Sequence, residues 1–154
     1  MNIVSIAGSA LLLIIGGIVT WFVQSRIETL KTIRDSLNTQ RMTTYVQILE
    51  PFFGLFSSTS RETEQAVKQL TSSKYRKTAF ELNLFGADDV VKAYNNMFQY
   101  AYKMENNNPD IKKTMWLWGH LLLEIRRNVG NRDTSLNEYD MLRAMIKDID
   151  DFKM

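Results

Sequence analysis

The chain has no cysteine, one histidine, two prolines and seven glycines among its 154 residues. Lack of cysteine removes disulfides, thiolate metal sites and thiol nucleophiles together. With His120 as the sole histidine, and no carboxylate pair set beside a further donor, the sequence offers no metal-ligand set and implies no cofactor. The glycines fall into neither GxGxxG nor GxxxxGK, which excludes the phosphate-cradling loops of those types. A further absence is local. No Lys, Arg, Asp or Glu occurs from Met1 to Ser25, so all 19 basic and 17 acidic residues lie from Arg26 onward. The formal net charge of +2 is too small to argue for a nucleic-acid partner by itself.

The uncharged segment contains an apolar run from Ile3 to Val23, 21 residues long. As a helix it spans roughly 31 Å, against a bilayer hydrocarbon core of about 30 Å. A cleaved signal peptide would carry a basic start and a shorter apolar stretch, and neither is present. The expectation is a transmembrane helix within residues 1–25. Arg26, Lys31, Arg34 and Arg41 follow the run, and no basic side chain precedes it, so the positive-inside rule puts the remaining chain in the cytoplasm and the N-terminus outside. That describes a single-pass protein of the inner membrane. Within the run, Ser5, Ser9, Gly16 and Thr20, together with Asn2, fall in a sector of roughly 60° at about 100° per residue. Small residues let helix backbones approach and hydroxyls bond across the contact, which makes this stripe the candidate packing face of a homo-oligomer. In a ring of subunits the same stripe would line a pore. The plain alternative is that the hydroxyls bond their own helix and that glycine is simply common in membrane spans.

Beyond the run, Ile27, Leu30, Ile33 and Leu37 recur at helical spacing, predicting a juxtamembrane stalk helix over 26–50 that Pro51 terminates. Residues 51–154 then read as a helical domain. Thr59 and Glu62 form one capping box, opening a helix to about Leu70. Residues 74–104 read as two helices broken near Gly86, although "TAFELNLF" alternates partly enough for a strand. "ENNNPD" is a loop, and Asp110 starts a richly apolar helix through Arg127. His120, Glu124 and the flanking lysines argue against that helix being a second span. Ser135 and Glu138 form a second capping box, predicting a last helix through Tyr139, Leu142, Ile146 and Ile149. The fold class is all-α, with one transmembrane helix, a stalk and a cytoplasmic bundle of four or five helices.

One acid-base grouping stands out: His120, Glu124 and Arg127 at i, i+4 and i+7 can share a helix face. The plain reading is a half-exposed stripe with an intrahelical Glu124–Arg127 pair. "LLLEIRRNVGNRDTSLNEYDML" (121–142) and "ELNLFGADDVVKAYNNMFQYAY" (81–102) resemble segments of small single-span bacterial membrane proteins with a divergent HEPN-like helical domain. These include the accessory membrane proteins of type VI-B CRISPR loci. The resemblance implies a helical bundle, self-assembly in the membrane, possible service as a pore in antiviral defence, and a defence nuclease or RNA as partner. HEPN ribonucleases carry Arg-x4-His. Arg126 matches the arginine, but Asn131 stands at the histidine position, and shifting the frame to Arg127 puts Arg132 there. Asparagine cannot shuttle a proton, so the resemblance leans away from an enzyme. The candidate site residues are therefore Arg126, Arg127, Asn131 and His120. The readings left open are a non-catalytic oligomeric membrane effector, a membrane-tethered ribonuclease, and a plain anchored interaction domain.

Overall fold

A computed structural model describes residues 3–55, 60–104 and 108–153, with side chains from Trp21 onward. Among these residues the chain forms five helices, α1 (Ile3–Leu55), α2 (Ser60–Leu70), α3 (Ser73–Phe85), α4 (Asp88–Lys103) and α5 (Ile111–Asn128), then a 3-10 turn at Ile149–Phe152. None of the described residues is a strand, and "TAFELNLF" lies within α3. The all-α expectation therefore holds. By packing, the chain divides into residues 1–39 and 40–154, a boundary inside the segment read as stalk.

The first unit holds the part of α1 up to Thr39, and the rest of α1 belongs to the second. Trp21, Phe22, Val23, Ile27, Leu30 and Ile33 are exposed on it, Trp21 at 68%. Thr29 and Thr32 hydroxyls donate to the carbonyls of Ser25 and Glu28, using up the donors that would otherwise compete with the helix. The Arg26 guanidinium lies 5.3 Å from the centroid of the Phe22 ring. Asn2 and the side chains of Ser5, Ser9, Gly16 and Thr20 lie outside the described residues, as does most of the apolar run's side-chain surface. Among the described residues no helix is long and apolar enough to cross a membrane, and α5 is included in that statement.

In the second unit the helices are those the sequence pattern marks. Ser72 caps α3 by accepting from the Tyr75 amide at 3.1 Å, and α3 ends where the Gly86 amide bonds Leu82 O. Asp88 and Asp89 sit in the first turn of α4, favourable to its positive end, and Lys103 in its last. Val90, Ala93, Tyr94 and Met97 give α4 a buried face at helical period. Asp110 Oδ1 accepts from the amides of Lys112 and Lys113, starting α5 where expected. The core closes around Phe52, whose ring meets Trp118 edge-on at 4.0 Å and Phe98 at 6.3 Å.

Two expectations are corrected. Pro51 does not end the first helix, which continues to Leu55. Proline removes one backbone donor and crowds the preceding turn. Here the buried Ile48 and Phe52 on either side hold that turn against the core. The last helix does not form either: residues 138–145 are turns, followed by the short 3-10 segment. The expected capping box is not made, and the backbone ladder after it is irregular. Asn137, not Ser135, takes the free amides, its Oδ1 accepting from Tyr139 and Asp140. The amides after it then mix i+4 bonds, Met141 to Asn137 and Ile146 to Leu142, with i+3 bonds from Leu142, Arg143 and Met145. No uniform ladder results. Leu142 and Ile149 are still fully buried, as the period suggested, and Arg143 folds the tail back through two bonds to Asp150 at 2.9 and 3.0 Å. Thr59 of the first capping box lies outside the described residues.

Candidate functional site at the end of α5

The C-terminal end of α5 brings most of the candidate residues onto one helix and then engages each of them separately. Glu124 is 9% exposed and forms an ion pair with Arg127 one turn later. This is the intrahelical pair of the plain reading, more deeply buried on the carboxylate side than a surface stripe would be. His120 does not join it. Its Nδ1 lies 3.4 Å from Glu138 Oε1, and its ring stacks on Trp116 at 4.8 Å with the planes 9° apart. His120 and Arg127 are seven positions apart on α5, roughly 10 Å along the axis.

Arg126 faces another way: its Nε donates to Thr134 Oγ1 at 3.1 Å. The Asn131 amide returns to Arg126 O at 3.2 Å and the Gly130 amide to Arg127 O at 3.5 Å, the paired bonds of a Schellman cap. Gly130 has φ of +118°, a left-handed conformation that needs glycine. Arg126 and Asn131 are thus joined through the backbone of a helix stop, with the Arg126 side chain spent on the following loop.

A shallow cavity of about 280 Å³ opens between this end of α5 and the start of α4, lined by Asp89, Glu124, Arg127, Asn128 and Arg132. Its two arginines are matched by two carboxylates, so it presents no net positive field to a phosphate. Tyr45 holds its floor: the phenol donates to Asn128 Oδ1 at 2.8 Å and accepts from the Ala87 amide at 3.0 Å. Arg41 Nε donates to Phe85 O at 2.6 Å. These two α1 residues lock the helix to the turns on both sides of the cavity. Among the described residues, no three His, Asp or Glu side chains gather as a metal-ligand set.

Sequence reasoning missed Glu138 as the partner of His120. The available signal was Gly119, a glycine amid bulky apolar residues. A Cβ there would collide with the Glu138 backbone, so the gap is what lets the 137–142 segment lie against α5. Tyr45 was read only as part of a helical period. Searched against family models, curated proteins and solved structures, the chain matches none.

Proposed function

We propose that the protein is a membrane-anchored, self-associating effector or accessory protein without catalysis of its own. In this reading residues 3–23 span the inner membrane, the C-terminal domain is cytoplasmic, and copies pack through the face carrying Ser5, Ser9, Gly16 and Thr20. The observation that carries the anchor is the 21-residue run free of charge, set in the helix α1 and followed by Arg26. Trp21 and Phe22 fit a membrane-water boundary, with Arg26 laid over Phe22, because amphipathic rings and basic heads favour the headgroup level.

The lean away from catalysis is supported by the way each candidate group is already held. Arg126 is bonded to Thr134, Arg127 to Glu124 and His120 to Glu138. A phosphate-cleaving site needs an acid-base group and a cation converging on one reacting atom. Here the histidine and Arg127 lie two helical turns apart and turn to different carboxylates. The resemblance to the accessory membrane proteins of type VI-B CRISPR loci supplies the role in this reading: a pore that strengthens antiviral defence, with the protein itself as its main partner.

Dye release from liposomes carrying the full-length protein tests it. Release that rises steeply with protein per liposome and is lost in Gly16→Leu supports the pore. Absence of release at every loading, together with RNA cleavage that disappears in His120→Ala, would replace it with the tethered ribonuclease.

A further inference from the structure

A strongly apolar cavity of the second unit lies away from α5's arginines. It has a volume of about 390 Å³ and sits between the ends of α1 and α2, the second half of α4 and the first half of α5. That is within the range of pockets that enclose small ligands. Its wall is almost wholly hydrocarbon and ring: Phe52, Phe98 and Trp118 on one side, Met97, Met104 and Leu117 around them. Methionines make such a wall adaptable in shape.

The two hydroxyl groups at the wall are already used. Thr114 Oγ1 donates to Asp110 O at 2.8 Å, and Tyr100 Oη accepts from the Asp110 amide at 2.9 Å and donates to Asp110 O at 3.4 Å. Sugars, nucleotides and peptides would leave their own polar groups unmatched there. A hydrocarbon chain would not. One cation stands against the wall. The Lys113 ammonium lies 5.1 Å from the centroid of the Tyr100 ring, which lines the cavity. The nearby Asp110 carboxylate is engaged by the amides that begin α5.

We infer that this cavity binds a single acyl chain bearing an anionic head, the chain within the aromatic wall and the head at Lys113. A free fatty acid and a lysophospholipid share this chemistry. The inference does not rest on the membrane reading, because every residue it uses lies in the second unit.

The test uses the full-length chain in phosphatidylcholine nanodiscs, with Trp21→Phe and Trp116→Phe leaving Trp118 as the sole indole. Bromine quenches indole only at close range, so Trp118 reports on the cavity. Brominated palmitate is expected to quench it saturably, by half or more. Ala101→Phe, at an exposed position on the cavity mouth, should abolish saturation, and Met104→Phe provides a second block should the first disturb folding. Lys113→Glu should weaken brominated palmitate at least five-fold and leave neutral brominated hexadecanol unchanged. Brominated lysophosphatidic acid acting as well as palmitate assigns a lipid source; its failure assigns the free acid. Quenching that stays linear with concentration and is equal in the filled variants is simple bilayer partitioning and overturns the inference, as does no quenching at all.

Discussion

Tyr45 does more for the second unit than its place in a helical period suggests. Its ring is 1% exposed, and its hydroxyl serves two other elements at once, donating to the end of α5 and accepting from the start of α4. Tyr45→Phe keeps the ring and strands both partners, so it should cost about 1–3 kcal/mol of unfolding free energy, measured by urea titration of the folded protein. A loss within error would mean that water replaces the phenol freely. Gly119 and Gly130 are constrained for different reasons, one by a backbone lying against it and the other by its left-handed φ. The arginines could be found in the sequence, but only one of their partners could. Arg127 takes the carboxylate one turn back, whereas Arg126 reaches a threonine whose position depends on how the loop closes. Local spacing therefore revealed the first pair and hid the second, along with His120 and Glu138, which are 18 residues apart.

Element boundaries follow from which side chain takes the free amides. Asp110 acts as a cap where the pattern put it, whereas Ser72, which the pattern did not mark, starts α3. The pattern failed at residues 135–149, where Asn137 and not Ser135 takes the capping role. Asn137 Oδ1 accepts from the Tyr139 and Asp140 amides directly. Asn137→Ala should therefore lower stability by about 1 kcal/mol and Ser135→Ala by much less, compared by thermal unfolding. Equal effects, or the reverse order, would restore the longer helix. The tail beyond is held by charge: hydrogen bonds from Arg143, then Lys153, pull the Asp150 carboxyl down to about 2 from an ordinary 3.8. A lowered folded-state value means that this contribution is complete above pH 4 and fades as pH falls toward 2. Both partners are fully exposed, so added salt should weaken the tie by screening.

At the scale of the whole molecule, burial of two tyrosines sets an alkaline limit. Desolvation pushes the Tyr94 phenol up to about 12 from 10.0 and Tyr75 higher still, the two hydroxyls lying 3.3 Å apart in the core. Raised folded-state values mean that their contribution is complete below pH 10 and is lost as pH climbs through 12. Circular dichroism should accordingly show cooperative loss of helix between those values, and Tyr94→Phe should move the midpoint upward. The fold class and most elements were legible because amphipathic period and caps are local properties. The proposed role rests only on the charge-free N-terminal run and the face of small residues within it. Self-association through that face is the claim on which the account depends. The most direct measurement is the mass of the full-length protein extracted in native nanodiscs, determined by mass photometry over a range of expression levels. The account predicts a discrete oligomer that Gly16→Leu reduces to single copies; a monomer in the unsubstituted protein at every level would contradict it.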